Sequence, residues 1–120
     1  MSCRAAVRYV GDVAIIDVAG RITLGEGAGM LRNLMRDLVK ADERELLVNL
    51  KEVSYMDSAG LGELVGFYAS ITNAGGTVKL LNAQGRVSEV LTVTKLYTVF
   101  ESFSDEAAAV RSFPSAAAGA

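Results

Sequence analysis

The sequence predicts one α/β domain with a largely parallel sheet of four to five strands, one antiparallel edge and about four helices. After residue 12, short apolar runs of strand character alternate with longer stretches of helical character, the order typical of α/β folds. The chain has 120 residues, 51% of them hydrophobic, which suits one domain with a buried core. We therefore expect a single domain over residues 1–113. Residues 114–120 begin with proline and continue with small residues, which predicts a disordered tail.

The N-terminal segment predicts a β-hairpin. Residues 13–18 (Val-Ala-Ile-Ile-Asp-Val) form a short run rich in β-branched residues, as in a strand. Residues 4–9 form a candidate partner strand, and Gly11-Asp12 between the two predicts a turn. We expect Gly20 to end the second strand.

A helix and a third strand are predicted next. Residues 27–41 carry apolar side chains at helical spacing with polar residues between them, which indicates an amphipathic helix. Residues 45–50 predict a short strand, and residues 53–56 are expected to lead into a turn.

A second helix is predicted after this strand. It is expected to begin between Ser58 and Gly60 and to continue to about residue 73, where Gly75-Gly76 ends it. Its buried side is predicted to consist of Leu61, Leu64, Val65, Tyr68 and either Ile71 or Thr72.

The last third of the chain predicts four further elements. Residues 77–81 read as a strand, residues 87–96 as a helix and residues 98–100 as a short final strand. Residues 105–113 predict a last helix, with Ser104 as its N-cap and two acids in its first turn.

Composition excludes several classes of function. The 12 basic and 14 acidic residues leave a formal charge of −2, which lacks the basic excess typical of nucleic-acid binding. The absence of histidine removes most zinc sites and the usual general base, and we expect no metal or cofactor. The single cysteine, Cys3, cannot form an internal disulfide, and we expect it at a frayed terminus. No run resembles a signal peptide or membrane span, so we expect a cytoplasmic protein without a membrane partner.

The segment of residues 55–65 (Tyr-Met-Asp-Ser-Ala-Gly-Leu-Gly-Glu-Leu-Val) stands where a strand turns into a helix. Such turns lie at the carboxyl ends of strands, where α/β proteins usually bind their ligands. The residues alone leave two interpretations open. The segment could be a binding site, or its residues could have structural roles only: Asp57 or Ser58 capping the helix, and Gly60 and Gly62 allowing close packing against the sheet.

Asp57-Ser58-Ala59-Gly60-Leu61-Gly62 resembles the phosphorylation loop of the STAS-domain anti-sigma-factor antagonists. The order around it is similar too, including a strand followed by Gly20-Arg21-Ile22, an amphipathic helix before the loop, and Gly75-Gly76 after it. The resemblance covers roughly residues 7–112.

The resemblance implies a single STAS domain that acts as a binding switch and not as an enzyme. Unphosphorylated, it would bind an anti-sigma factor that is also the serine kinase for Ser58, and so free a sigma factor. Phosphorylation would end the binding, a serine phosphatase would reverse it, and free N–H groups at the helix start would hold the phosphate. The implied partner-binding residues are Gly20, Arg21, Thr23, Asp57, Ser58, Ala59, Gly60, Leu61 and Gly62. Two of them depart from the family: Ala59 replaces a frequent second hydroxyl, and Thr23 a common aspartate.

Three other interpretations compete with the switch. A serine hydrolase lacks both a histidine and the first glycine of Gly-x-Ser-x-Gly, where Met56 stands. Residues 25–29 (Gly-Glu-Gly-Ala-Gly) do not fit a phosphate-binding loop, because Glu26 would repel an anion, and a flexible loop is expected there. A non-switching STAS scaffold subunit of a transporter or signalling complex is separated from the switch only by the hydroxyl of Ser58, the short chain and the lack of a membrane segment.

Overall fold

The computed structural model describes residues 3–115 and contains one five-stranded sheet within them. The strands are β1 (Cys3–Val10), β2 (Val13–Ile22), β3 (Glu45–Met56), β4 (Thr77–Leu81) and β5 (Ser102–Phe103), in this order across the sheet. β1 pairs antiparallel with β2, and all other neighbours are parallel. This arrangement confirms the predicted mixed, largely parallel sheet.

Of the four α-helices in residues 3–115, three cover one face of the sheet. The helices are α1 (Glu26–Lys40), α2 (Ser58–Asn73), α3 (Gly85–Val93) and α4 (Glu106–Arg111). The first three each connect adjacent parallel strands in the same direction. Because such crossovers are right-handed, all three fall on the same side. α4 follows the last strand and packs on the opposite face, where Ala109 and Phe113 are buried.

Apolar side chains on both faces of β2 and β3 explain why these strands read as continuous hydrophobic runs. Ile16 and Val48 join the larger core beneath α1, α2 and α3. Ile15 and Leu47 point the other way, into the smaller core beneath α4. Alternate residues of a strand face opposite sides, so a sheet covered on both faces needs both sets to be apolar.

A row of polar side chains crosses the second face and anchors α4. Arg8 donates to Asp17 at 2.6 Å and to Glu106 of α4 at 2.6 Å. Asn49 also donates to Asp17, at 2.8 Å. Burial would raise the pKa of the Asp17 carboxyl, but the hydrogen bonds from Arg8 and Asn49 outweigh burial and lower it.

The middle strands are longer than the sequence predicts. Gly20 does not end β2, which continues to Ile22 with irregular register on both sides of the glycine. β3, predicted over residues 45–50, continues to Met56, so residues 53–56, which were expected to lead into a turn, are part of the strand. The two extensions pair with each other, Gly20 with Val53 and Ile22 with Met56, and this contact cannot be read from either segment alone.

The C-terminal part also needs correction. Residues 98–100 are not a strand, since Leu96–Thr98 forms a 3₁₀ turn and the last strand is Ser102–Phe103. The N-cap of α4 is not Ser104 but Asp105, whose carboxylate accepts from the Ala108 N–H at 2.9 Å. On α2 the prediction was right for Leu61, Leu64 and Ile71. It missed Phe67, which is buried, and included Val65 and Tyr68, which are half-buried.

Both ends of the described chain are packed. Cys3 is not frayed: it opens β1, is 7% exposed and belongs to the larger core. Burial, and secondarily the charge of Glu26, raises the pKa of its thiol. Of the predicted tail, Pro114 and Ser115 are described, and the Ser115 N–H donates to Glu45 at 2.8 Å. Residues 116–120 lie outside the described residues.

Candidate functional site

The carboxyl ends of β2 and β3 bring two chain segments together. Ile22 and Met56 are partners in the parallel register, and each is the last residue of its strand. Residues 23–25 then lead to α1, and Asp57 leads to α2. The predicted site residues from both segments therefore meet at one edge of the sheet.

Asp57 joins the two segments through hydrogen bonds. One carboxylate oxygen, Oδ1, accepts from the N–H groups of Ala59 and Gly60, each at 3.0 Å, which makes Asp57 the N-cap of α2. The other oxygen, Oδ2, accepts from the Leu24 N–H at 2.9 Å. These bonds, that from Leu24 first, hold the pKa of the Asp57 carboxyl below its ordinary value, so it is ionised at neutral pH.

Ser58 is the first residue of α2, and its side chain is exposed. Its hydroxyl has no hydrogen-bond partner among the described residues, because Asp57 already supplies the cap. The N–H groups of Ala59 and Gly60 are occupied by the same carboxylate, and the N–H of Asp57 itself donates to the Ile22 carbonyl at 3.2 Å. The expectation that free N–H groups would hold a phosphate is thus corrected. Within residues 3–115, only the N–H of Ser58 lacks an acceptor at this helix start.

The remaining residues of the loop differ in access to solvent. Gly60 is buried, and a Cβ there would lie 2.5 Å from the Ile22 carbonyl oxygen, so only glycine lets α2 sit this close to β2. Leu61 is buried in the core, and Ala59 is half-buried. Gly62 is exposed and has open space at its Cβ position. Ser58 and Gly62, four residues apart, share the outward face of the helix.

The second segment contributes residues of two kinds. Gly20 and Arg21 belong to β2, and the exposed Arg21 guanidinium lies over the Tyr55 ring, 4.6 Å from its centroid. Thr23 is half-buried, and its carbonyl accepts from the Ala28 N–H at 2.9 Å. Residues 25–29 are not a flexible loop, because Gly25 caps α1 with φ of 99° and the other four residues form its first turn.

Sequence reasoning expected residues 20–25 at the interface but did not single out two side chains at this edge. One is Leu24, which is 81% exposed and is held through its backbone by Asp57. The other is Arg86, whose guanidinium lies 5.9 Å from the centroid of the Tyr55 ring that Arg21 also covers. Neither has a local signal, since Leu24 and Asp57 are 33 residues apart in the chain.

Metal and membrane features were searched over the described part of the chain. Residues 3–115 contain no group of three or more cysteine, aspartate or glutamate side chains placed to hold a metal ion. None of the helices in that range has the length and apolar character needed to cross a bilayer.

The protein is thus an α/β domain, and its candidate surface site is an exposed serine at the carboxyl edge of a mostly parallel sheet. The family model of the STAS domain matches residues 4–109, and the chain belongs to the STAS-domain family of anti-sigma factor antagonists. The anti-sigma-B factor antagonist of Bacillus subtilis is 34% identical to it over 86 residues, which cover 72% of this chain and 77% of that relative.

Solved structures share the fold. An anti-sigma factor antagonist from Mycobacterium paratuberculosis superposes with a TM-score of 0.83 at 19% identity, covering 92% of this chain and 93% of its own. The Bacillus cell fate determinant SpoIIAA in its phosphorylated form gives a TM-score of 0.71 at 19% identity, covering 90% of this chain and 98% of its own. At these identities the likeness concerns the fold alone.

Proposed function

We propose that this protein is a cytoplasmic, phosphorylation-controlled anti-sigma factor antagonist and not an enzyme. In its unphosphorylated form it binds an anti-sigma factor that is also a serine kinase, and thereby frees a sigma factor. Ser58 is the modified residue, and a serine phosphatase resets it. The partner binds to two segments of the chain, residues 20–23 and residues 57–62.

One observation carries the proposal: Ser58 is exposed at the first position of α2, and its hydroxyl has no partner among the described residues. A kinase can reach this hydroxyl without unfolding the helix. In the transfer, the Ser58 oxygen gives up its proton to solvent and bonds to the γ-phosphorus of ATP, while the bond from that phosphorus to the β–γ bridging oxygen breaks and ADP leaves. The phosphatase uses water to restore the hydroxyl and release inorganic phosphate.

The arrangement around Ser58 explains why phosphorylation would oppose binding. A phosphate adds a charge of about −1.5 to −2 at neutral pH. Asp57, ionised beside Ser58, already occupies the N–H groups of Ala59 and Gly60. The new charge would therefore remain largely unpaired on the outer surface. A partner that covers Ser58 would have to desolvate this charge without a compensating bond.

The nine candidate residues would contribute in different ways. Ser58, Gly62 and Arg21 are exposed and available for direct contact. Gly60 and Leu61 are buried, so they act by placing the start of α2. Asp57 acts by holding the two segments together.

The test is a pull-down from native cell extract with wild type, Ser58→Ala and Ser58→Asp, with captured proteins identified by mass. We expect wild type and Ser58→Ala to retain a serine kinase and Ser58→Asp to lose it. The captured kinase, mixed with ATP, should phosphorylate the wild type and leave Ser58→Ala unmodified. Equal capture by all three proteins would contradict the switch and favour a non-switching STAS scaffold.

A further inference from the structure

Leu24 is an apolar side chain exposed on a fixed backbone. It is 81% exposed, as much as Val93 at the end of α3. A single exposed leucine is ordinary on a protein surface, so exposure alone indicates nothing. What distinguishes Leu24 is that each residue of its loop is held by a backbone hydrogen bond.

Three bonds fix this loop. The Leu24 N–H donates to Asp57 Oδ2 at 2.9 Å. The carbonyls of Thr23 and Gly25, on either side, accept from the N–H groups of Ala28 and Gly29, each at 2.9 Å. These bonds fix the backbone at Leu24, and with it the direction of the Cα–Cβ bond, before any partner arrives. Binding through a loop whose backbone is already ordered loses less conformational entropy, which favours a strong contact.

Leu24 also lies next to the proposed phosphorylation site. The two oxygens of one carboxylate hold Leu24 on one side and Ala59 on the other, and Ser58 precedes Ala59. Beyond Ser58, the exposed Gly62 leaves open space on the same helix face. The surface thus presents an apolar side chain, a hydroxyl and a gap without a side chain, within reach of one binding partner.

We infer that Leu24 is the apolar anchor of the partner interface, inserted into an apolar pocket of the anti-sigma factor that binds the unphosphorylated protein. This inference rests on the proposed function and extends it to a residue outside the phosphorylation loop. Anchors of this kind dominate binding because they are enclosed and dry when the partner is bound. A phosphate on Ser58 would lie at the border of that dry contact, where the cost of desolvating its charge would weaken binding of the partner.

The test uses the serine kinase captured by the Ser58→Ala protein, expressed and purified, and titrated by calorimetry with wild type, Leu24→Ala, Leu24→Met, Val93→Ala and Ser58→Asp. Val93 is the matched control, since it is equally exposed. It ends α3, which leads back from the carboxyl edge of β4 toward the start of β5, so it lies far from Ser58. Leu24→Ala keeps the backbone N–H that Asp57 accepts, so its thermal unfolding should match that of wild type.

We expect Leu24→Ala to raise the Kd about tenfold or more, Leu24→Met to restore most of the affinity, and Val93→Ala to change it less than about twofold. If Ser58→Asp abolishes binding while Leu24→Ala binds like wild type, the anchor is refuted and the switch stands. If Ser58→Asp binds like wild type, the proposed function fails, and the anchor fails with it. Hydrogen exchange of the free protein adds an independent check, because an unprotected Leu24 amide would refute the fixed backbone.

Discussion

Two helices of this protein begin with the same pattern and differ in their surroundings. α2 is preceded by Asp57 and starts Ser-Ala-Gly, whereas α4 is preceded by Asp105 and starts Glu-Ala-Ala. Asp105 accepts one N–H, that of Ala108 in its own helix. Asp57 accepts two from its own helix and a third from Leu24 in a different loop. Asp105 therefore caps only its own helix, whereas Asp57 caps its helix and also joins it to a second loop.

The first helical position shows the larger difference. In α4 it is Glu106, whose carboxylate is paired with Arg8 at 2.6 Å. In α2 it is Ser58, which has no partner in residues 3–115. A negative charge at this position is compatible with a helix, since it faces the positive end of the dipole. A phosphate on Ser58 would thus be tolerated by the fold, yet it would lack the arginine that neutralises Glu106. Its effect falls on whatever binds the surface.

The largest effect should come from the third helical position, where α2 has Gly60 and α4 has Ala108. Gly60→Ala places a Cβ 2.5 Å from the Ile22 carbonyl and 2.6 Å from its Cγ2, so α2 must move away from β2. We expect a loss of about 2–3 kcal/mol in the free energy of unfolding, measured by urea titration. Gly62→Ala is the control, because its Cβ meets open space. It should leave stability unchanged or raise it by up to about 1 kcal/mol. Similar losses in both variants would mean that helix propensity, and not contact with Ile22, decides.

Removing the caps separates their two roles. Asp105→Ala loses one capping bond and should cost about 1 kcal/mol of unfolding free energy. Asp57→Ala should cost more, because the Leu24 N–H loses its acceptor along with those of Ala59 and Gly60. Hydrogen exchange should show faster exchange at Leu24 in Asp57→Ala and no change there in Asp105→Ala. Equal stability losses with a protected Leu24 amide in both would show that the bond between the loops is dispensable.

The same comparison shows what the sequence can predict. The start and end of α2 follow from local signals, namely a capping residue, an amphipathic stretch and Gly75-Gly76, and the structure has the helix at Ser58–Asn73. The choice between Asp57 and Ser58 as cap does not, because both side chains are competent and the outcome depends on where Leu24 lies.

The misplaced boundaries have a similar cause. The C-terminal parts of β2 and β3, which go beyond the predicted strand ends, contain glycine, charged and small residues. They are strands because they pair with each other in the sheet. The final strand is only two residues long and is defined by pairing with β4, so its local pattern was too short to locate it. Contacts between residues distant in the chain thus account for these misplaced boundaries and for the missed bond between Leu24 and Asp57.

The smallest effect, and the most specific to Asp57, is its dependence on pH. The folded protein holds the pKa of Asp57 below its unfolded value, chiefly through the Leu24 and Gly60 N–H groups. The stabilisation is therefore complete above the unfolded pKa, about 3.9, and is lost as the pH falls through the folded pKa. Asp57→Asn still caps α2 through its amide oxygen, but its NH₂ group cannot accept from Leu24. Urea midpoints should differ between wild type and Asp57→Asn at pH 7 and approach each other as the pH falls from about 4 through the lower pKa of the folded protein. A difference that persists unchanged into acid would show that the charge on Asp57 does not contribute to linking the loops. The capping bonds of α2 would then suffice, as the single bond of Asp105 does for α4.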